Sequence, residues 1–512
     1  MRTRLLLCLL GLAAAAAAAA PAPMVFDSTP RVFEITKFGA VADGKTLASA
    51  AINQAIEAAN GAGGGTVYVP AGTWLAGSIH LKSNVTLFLE QGATIEATSD
   101  PQAYDEPEPN QWDKYQDFGH SHFHNSLIWG EGLENVAILG TGRIYGKGLT
   151  RSGNQPRLGN KAISLKLCRN VIIKDISILQ GGWFGILATG VDNLTIDNLK
   201  IDTNRDGMDI DSCRNVRISN CSVNSPYDDG ICLKADYALG FFRDVENVTI
   251  TNSQVSGYDT GTFLDGTYQR KLFDKPNSPG PTGRIKFGTE SSGGFRNITI
   301  SNIVFDDCRG LALETVDGGH LENVTISNVV MRDISNAPIF LRLGSRMRSP
   351  EGTPVGELRR INISNFVVYN ADPRYGSIIS GIPGHDIEDV KLSNVRIYYK
   401  GGGTQEQAAL APAEDETKYP EPRMFGDIPA YGFFVRHVKG LELNGVTVGF
   451  MKEDLRPAYL FQSVAGVELN NVKGQHANGV PTVVLKDVNG FEIHNSPFAA
   501  DTKLGQVKEQ RF

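Results

Sequence analysis

The sequence lacks most of the features that mark membrane, zinc-binding and nucleic-acid-binding proteins. Its one apolar run, residues 5–20, is too short to cross a bilayer and no other stretch is apolar enough, so no membrane span is expected in the mature chain. Its net charge of −7 argues against a nucleic-acid partner, because nucleic acids attract basic surfaces. No zinc-binding spacing is present, and the cysteines beyond residue 20 are expected to be free and buried. They are Cys168, Cys213, Cys221, Cys232 and Cys308.

The one long apolar run lies at the start of the chain. Arg2 and Arg4 precede residues 5–20, and small residues with two prolines follow. This order is typical of a secretory signal peptide, here predicted over residues 1–23 and cleaved. The protein is therefore expected to be secreted or periplasmic, with residues 24–512 forming a single catalytic domain.

A short motif, an asparagine followed by alternating aliphatic residues, recurs along the chain. Two copies, NLTIDN and NVRISN, start 22 residues apart at Asn193 and Asn215, a length that suits one coil of a solenoid. The aliphatic residues would fill the interior, and the asparagines would form an internal hydrogen-bonded ladder. The pattern predicts an all-β fold, a single-stranded, right-handed parallel β-helix, since a sandwich or propeller would need hairpins or a longer period. Further copies start at Asn84, Asn135, Asn170, Asn247, Asn297 and Asn323, and degenerate ones continue to about Asn495.

One amphipathic helix is predicted before the series of strands. Residues 48–60 read ASAAINQAIEAAN, with Thr46 as a candidate N-cap and Gly61 after the helix. A helix in this place would cover the open end of a solenoid.

Three insertions, residues 99–125, 262–283 and 401–431, interrupt the repeats. Insertions of this kind usually lie on one face of a solenoid and shape its binding cleft. The first contains three alternating histidines, His120, His122 and His124, which a metal could use. Solvated loop histidines are the favoured interpretation, because no carboxylate or cysteine stands at a supporting spacing.

Carboxylates occupy the same place in two successive coils. Counting 13 residues from Asn193 and from Asn215 gives Asp206 and Asp228, and Asp229 follows directly. Parallel strands lie about 4.8 Å apart, so these acids should form one cluster in which repulsion raises at least one pKa. Hydrolysis of a glycosidic bond needs one protonated and one ionised carboxyl group, whereas the structural alternatives are a bend-capping aspartate or a calcium ligand. Two acids of the same strand, Asp209 and Asp211, are interpreted as outward-facing polar positions.

Several motifs together resemble those of a known family: FGAVADGKT with GGGTVYVPAGTW, NVAILGTGRIYGKG, NRDGMDID and YDDGICLK. They resemble glycoside hydrolase family 28, the polygalacturonase family of pectin-degrading enzymes, over nearly the whole mature chain. The resemblance implies a pectin-lyase-like right-handed β-helix and hydrolysis with inversion, without metal or cofactor. It also implies that Asp228 is the general acid and that Asp206 and Asp229 activate the attacking water.

Five residues are predicted to bind substrate. Asn204 opens the first acid motif, and Lys234 matches a lysine that the family often has after its acid pair, where it would contact substrate or neutralise the cluster. Tyr258 stands near the place of the family's histidine, which is absent here. Trp183 lies one coil before Asp206 and could stack on a sugar or belong to the core. The fifth is Lys286.

Lys286 is one of several candidates for a missing pair of cations. The family's Arg-Ile-Lys, which reads a uronate carboxylate, aligns with Ala312-Leu313-Glu314 in this chain. Substitute cations would have to come from elsewhere, although each candidate could equally be a solvated surface residue. The candidates are Arg284, Lys286, Arg309, Arg342, Arg346 and Arg348.

The sequence therefore predicts a monomeric hydrolase of α-linked galacturonic acid in pectin, with long loops that favour attack at chain ends. Its partner would be a pectic polysaccharide or oligosaccharide. The missing Arg-Ile-Lys leaves a hydrolase of rhamnogalacturonan or another branched pectin as the first alternative. A calcium-dependent polysaccharide lyase and a non-catalytic glycan-binding β-helix are the alternatives of other classes.

Overall fold

A computed structural model describes residues 31–153, 158–271 and 279–512, so the predicted signal peptide lies outside the described residues. Strands follow one another from Val32 to Arg511 and pair almost entirely in parallel. Within the described ranges no helix is both long enough and apolar enough to cross a membrane.

The strands are short at first and longer beyond the middle of the chain. In chain order they are β1 (Val32–Glu34), β2 (Asp43–Leu47), β3 (Gly65–Val69), β4 (Gly72–Ala76), β5 (Ile79–His80), β6 (Val85–Leu89), β7 (Ala93–Ala97), β8 (Ile128–Glu131), β9 (Glu134–Gly140), β10 (Arg143–Tyr145), β11 (Lys161–Lys166), β12 (Arg169–Lys174), β13 (Ser177–Leu179), β14 (Phe184–Thr189), β15 (Asp192–Asp197), β16 (Lys200–Asp202), β17 (Asp206–Asp211), β18 (Arg214–Ser219), β19 (Ser222–Asn224), β20 (Ile231–Ala235), β21 (Val245–Ser256), β22 (Ile285–Ser291), β23 (Phe295–Cys308), β24 (Leu311–Thr315), β25 (His320–Ile334), β26 (Ile339–Leu343), β27 (Glu357–Ala371), β28 (Ser377–Ser380), β29 (Ile387–Gly401), β30 (Phe433–Lys452), β31 (Tyr459–Asn470), β32 (Lys473–Gly474), β33 (Val483–His494) and β34 (Thr502–Arg511).

Helices are few. They are α1 (Ser49–Gly61), α2 (Phe118–Ser121) and α3 (Gln405–Ala408), with short 3₁₀ turns at Ile35–Phe38, Pro101–Ala103, Asp113–Tyr115 and Pro422–Phe425.

Each coil contributes strands to three faces of the solenoid, and each strand pairs with its counterparts one coil before and one coil after. β12 pairs with β9 and β15 on the first face, β13 with β10 and β16 on the second, and β14 with β11 and β17 on the third. From β21 onward some strands turn the corner between the first and second faces, because β21 pairs with both β18 and β19. The predicted parallel β-helix is confirmed.

Aliphatic side chains at alternate positions stack between coils to form the core. Val216 and Ile218 of β18 lie beside Val248 and Ile250 of β21, and all four are buried. Inward and outward positions alternate along a strand, so each coil buries one of its two sets of side chains. The five cysteines are free and buried, as predicted.

The asparagine ladder forms, but on the outside of the solenoid. Asn215 has a φ of 55° and donates from Nδ2 to Asn193 Oδ1 at 3.3 Å, and Asn247 donates likewise to Asn215 at 3.1 Å. These contacts are exposed to solvent, so the prediction of an internal ladder was wrong. Asparagine tolerates the left-handed conformation that each bend requires, which leaves the amide stack at the corner of the coil.

Both ends of the solenoid are closed. Helix α1 packs beside β1 and β3, as predicted for a cap. Thr46 was wrongly predicted to be its N-cap, because Ala48 holds that position and Thr46 lies in β2. At the other end β34 pairs antiparallel with β33, so the last parallel strand is not left as an open edge.

Candidate active site

The three predicted acids meet on the third face of the solenoid. Asp206 begins β17, Asp229 lies just before β20, and these two strands pair in parallel. One carboxylate oxygen each of Asp206, Asp228 and Asp229 lies within 4.8 Å of the others. Asp206 and Asp229 are 4% and 2% exposed, whereas the Asp228 side chain is 34% exposed. Asp228 is therefore the acid of the cluster that a large substrate can approach.

Two buried cations hold Asp229 in its ionised form. Arg284 Nε lies 2.8 Å from Asp229 Oδ1, and Lys286 Nζ lies 3.3 Å from Asp229 Oδ2. Burial alone would raise the pKa of Asp229, but Lys286 and Arg284 outweigh it and hold that pKa well below its ordinary value. Asp229 is thus a permanent anion at the pH values at which proteins are stable.

Asp206 has the opposite balance. Burial raises its pKa well above the ordinary value, and the nearby charge of Asp228 raises it further. The expectation that crowding would raise at least one pKa in the cluster is confirmed. The cluster holds a proton more readily than isolated aspartates do, while Asp229 stays charged.

Arg205 lies between the two acids that do not contact the buried cations. Its Nε is 3.6 Å from Asp206 Oδ2 and 3.4 Å from Asp228 Oδ2. Its guanidinium also lies 4.1 Å from the ring centre of Trp183 and donates to the Arg151 carbonyl at 2.7 Å. Arg205 was not among the residues predicted to bind substrate, although it stands between Asn204 and Asp206 in the motif NRDGMDID.

The predicted substrate-binding residues occupy different surroundings. Asn204 is next to the acids, and its Oδ1 is buried without a hydrogen-bond partner among the described residues. Trp183 is 8% exposed, with one side occupied by Arg205. Tyr258 donates its hydroxyl to Asp306, a residue of β23 that also pairs with Arg332. Tyr258 is therefore directed away from the three acids.

Lys234 belongs to a buried charged layer beneath the site. Its Nζ lies 2.7 Å from Glu290 and 3.7 Å from Asp209, and the lysine is 7% exposed. This placement favours the neutralising role over direct contact with substrate. Asp209 and Asp211 do project from the outer face of β17, but both are 0% exposed, so their interpretation as solvent-facing positions was wrong. Loops cover this part of the outer face.

The first and third insertions supply part of that cover. His120 of the first insertion is buried with its Nε2 3.6 Å from Asp209. The interpretation of the histidines as solvated was wrong for His120 and His122, which are 3% and 8% exposed. From the third insertion, the Tyr419 hydroxyl lies 3.2 Å from Lys286 Nζ. The second insertion includes residues 272–278, which lie outside the described residues.

Glu421 of the third insertion fixes this cover to the sheet. Its carboxylate pairs with Arg284 and lies 3.0 Å from Arg309 Nη1. Arg342, which is 1% exposed, donates to the carbonyls of Glu414 and Asp415. Most of the candidate substitute cations are therefore not solvated surface residues. They either hold the covering loop in place or contact the acid cluster.

Glu314 occupies the place of the family's missing lysine. It is fully buried, with Oε2 3.7 Å from Lys286 Nζ and Oε1 4.0 Å from Arg284 Nη2. Burial raises the pKa of Glu314 to about 7 even though both cations lower it. Lys286 of β22 pairs in register with Ala312 of β24. Arg284 and Lys286 therefore lie one coil closer to the three acids than Ala312-Leu313-Glu314, the segment that aligns with the family's Arg-Ile-Lys.

Among the residues that the structure describes, two groups of side chains have an arrangement that could hold a metal ion. Asp206, Asp228 and Asp229 form one, and His120, Asp211 and Asp236 form the other. In the first group the oxygens already face Arg205, Arg284 and Lys286, whose positive charges oppose a divalent cation. The second group has no such cation bound between its members.

Comparisons with known proteins agree with this architecture. The family "Right handed beta helix region" matches residues 154–274, and "Rhamnogalacturonase A/epimerase, pectate lyase-like" matches residues 32–126. A Vitis vinifera protein named "Probable polygalacturonase" is 25% identical over 71% of this chain and 74% of its own length. The exo-poly-alpha-D-galacturonosidase of Dickeya chrysanthemi is 28% identical over 54% of this chain, which spans 41% of that relative. The family 28 exopolygalacturonase of Yersinia enterocolitica shares the fold, with a TM-score of 0.61 and 18% identity over 93% of this chain and 79% of the other.

Proposed function

We propose that this chain, which belongs to glycoside hydrolase family 28, the polygalacturonase family, hydrolyses α-linked galacturonic acid in pectin and releases it from chain ends. The observation that carries the proposal is that the surroundings of Asp229 and Asp206 shift their pKa values in opposite directions. Asp229 is fixed as an anion by Lys286 and Arg284, whereas burial and Asp228 raise the pKa of Asp206. Adjacent carboxyl groups in such different surroundings can supply an acid and a base at one pH.

In the proposed reaction Asp228, the most exposed acid of the cluster, donates a proton to the leaving glycosidic oxygen, which is the role that the family motif implies for it. As the bond to the anomeric carbon breaks, a water attacks that carbon from the opposite side and gives its proton to Asp206. Asp206 is the better proton acceptor of the two buried acids, because its pKa is raised while that of Asp229 is lowered. Asp229 orients the water by accepting its second hydrogen bond.

Inversion is what membership of the family implies, and it can be tested directly. The nearest oxygens of the acids are within 4.8 Å, closer than the separation of about 6.5 to 9.5 Å usual for inverting glycosidases. Arg205 contacts both Asp206 and Asp228, which accounts for the short distance before substrate enters. Proton NMR of the first product should show the β-anomer, and a first product with the α-configuration would exclude inversion.

Attack at chain ends is supported by the cover that the first and third insertions form over the sheet, and by the exo-acting enzymes among the compared proteins. Chromatography of early digestion products on polygalacturonate should show mono- or digalacturonate while the polymer stays long. A rapid fall in polymer length would instead indicate internal cleavage.

A rhamnogalacturonan hydrolase is the second candidate, favoured by the exchange of the family's two cations for Ala312 and Glu314. Reducing ends released only from rhamnogalacturonan, and not from homogalacturonan, would establish it. The lyase alternative predicts products that absorb in the ultraviolet and an activity that chelators abolish. Binding of pectic glycans without any turnover would support the non-catalytic alternative.

We also propose that the enzyme acts outside the cytoplasm as a monomer, after removal of residues 1–23. The sequence pattern of the signal peptide carries this part of the proposal. Amino-terminal sequencing of the exported protein and its mass in solution by light scattering test the two statements.

A further inference from the structure

A second cluster of chemistry-bearing side chains lies beneath the first insertion, on the same face as the catalytic acids. His120 comes from α2, Asp211 ends β17, and Asp236 follows β20. One ligand atom of each lies within 4.8 Å of the other two. The three residues are 3%, 0% and 1% exposed, so solvent does not stabilise their polar atoms.

Two atoms of this cluster have no hydrogen-bond partner among the described residues. They are His120 Nδ1 and Asp236 Oδ2. A buried polar atom that is left unpaired costs about 1 to 3 kcal/mol, and more when it is charged. His120 Nδ1 is thus open to a ligand, and the facing carboxyl groups of Asp211 and Asp236 need either a shared proton or a cation between them.

The other atoms of the same side chains are held firmly in place. Asp211 Oδ1 accepts from the backbone N–H of Asp236 and from the hydroxyl of Ser212, both at 3.0 Å. Asp236 Oδ1 accepts from the backbone N–H of Ala238 at 2.8 Å. Outer contacts of this kind orient the ligands of a metal. Asp211 Oδ2 also accepts from the hydroxyl of Thr189, at the longer distance of 3.3 Å, whereas Asp236 Oδ2 receives no donor among the described residues.

Charges of both signs surround the cluster, and the lysines Lys161 and Lys234 are partly offset by Glu290. Lys234, the nearest lysine of the charged layer, has its closest contact with Glu290 at 2.7 Å. Asp209 adds a third buried carboxylate, whose Oδ2 lies 3.6 Å from His120 Nε2, within ion-pair distance but beyond a hydrogen bond. The other ring nitrogen, Nδ1, has no partner among the described residues. A carboxylate behind the second ring nitrogen is the usual support of a metal-binding histidine.

We propose that His120, Asp211 and Asp236 bind a divalent transition-metal ion, best matched by Zn²⁺, which fastens the first insertion to the β-helix. An imidazole nitrogen with carboxylate oxygens suits zinc, whereas calcium takes oxygen ligands only. Zinc ligands lie about 2.0 to 2.2 Å from the ion, so the three side chains close inward when it binds. The ion is structural and separate from the acids that act on the glycan.

The first experiment uses the whole protein without any substitution. After treatment with a chelator and dialysis, Zn²⁺ is added back and the metal content and melting temperature are measured. We expect about one zinc per chain, a lower melting temperature after chelation and recovery with Zn²⁺. Cobalt in place of zinc should give the visible absorption bands of a tetrahedral site. The proposal would be overturned if the wild-type protein contained no metal and its melting temperature changed neither with chelator nor with Zn²⁺.

Variants then locate the ion. His120→Gln and Asp236→Asn should each lose the stoichiometric zinc and the response to chelator, whereas His122→Gln, a control on a buried histidine of the same insertion, should keep both. Zinc retained by all three variants would mean an adventitious ion only. If Asp211 and Asp236 instead share a proton, Asp236→Asn should melt no lower than the wild type and the wild type should bind no zinc. Neither readout uses the glycan, so failure of the proposed hydrolase activity would leave this test unaffected.

Discussion

Lys286 Nζ lies 3.3 Å from Asp229 Oδ2, and both residues are only 2% exposed. Arg284 contacts the other oxygen of the same carboxylate. The spacing of the three acids predicts that they repel one another. Repulsion alone would leave stability unchanged or slightly raised when any one of them is replaced by a neutral residue. Asp229 departs from that expectation, because its dominant interactions are with cations.

Asp229→Asn should therefore destabilise the protein. The substitution leaves Arg284 and Lys286 buried with one carboxylate fewer, and breaking a buried ion pair from one side typically costs about 3 kcal/mol or more. Chemical denaturation monitored by circular dichroism measures the change. Asp206→Asn provides the comparison, since removing a carboxylate whose pKa is raised by burial should leave stability equal or higher. Equal stability of the two variants would show that the cations do not depend on Asp229.

Asp228→Asn should abolish most of the activity while the protein stays folded. The replacement keeps the size of the side chain but removes the proton that the leaving oxygen needs, and loss of general acid catalysis costs about 10² to 10⁴ in rate. Because the Asp228 side chain is 34% exposed, the melting temperature of the variant should stay near that of the wild type. Turnover is measured on the glycan that the wild type degrades best. Near-normal turnover would remove Asp228 from the mechanism, and a large fall in melting temperature would favour a structural role.

The repeats were sufficient to predict the solenoid because each coil obeys the same local rule. Val216 and Ile218 face inward, and Asn215 supplies the bend, so period and strand pattern agree. The same period brought Asp206 and Asp228 to one place, because coil spacing converts sequence distance into contact. A rule of this kind holds only for residues on the repeating strands.

The positions of side chains in the insertions could not be predicted from the sequence, because the paths of these loops follow no repeating period. The approach of His120 to Asp211 and Asp236 joins residues that are about a hundred positions apart in the sequence. The solvent exposure of Asp211 was wrongly predicted for the same reason. Asp211 points outward from its strand, yet the covering loops exclude solvent from it. Lys286 was recognised only as one candidate cation, because its partner Asp229 lies on another coil.

Glu314 should make the stability of the protein depend on pH. Burial raises the pKa of Glu314 to about 7 from its ordinary value of 4.5, so the folded state binds its proton more tightly than the unfolded state does. The stabilisation is complete below pH 4.5 and is lost as pH rises to about 7, by about 1.4 kcal/mol per unit at most. Glu314→Gln should lack this decline and be the more stable protein above pH 7.

Glu357→Gln is the matched control for that measurement, because Glu357 lies exposed on β27. Unfolding free energies of the three proteins are compared between pH 4.5 and pH 8. A decline of the same size in Glu314→Gln as in the wild type would assign it to another group.

Arg205→Gln should shift the pH profile of the reaction. Arg205 lies 3.6 Å from Asp206 and 3.4 Å from Asp228, and its positive charge lowers the pKa of Asp206. Without it Asp206 holds its proton to higher pH, so the limb of the kcat/KM profile that Asp206 sets should move upward. The loss of these charge-assisted contacts should also lower kcat/KM by about 10-fold to 100-fold.

Arg205 acts through the two acids and is a positioning residue, so the profile is the decisive readout. Arg205→Lys keeps the charge but not the planar contact with Trp183, and it should restore the position of the pH profile more than the rate. Arg217→Gln, an exposed arginine on β18 in the next strand of the coil, should leave both profile and rate unchanged. A reduced rate with an unmoved profile in Arg205→Gln would show that Arg205 does not set the protonation of Asp206.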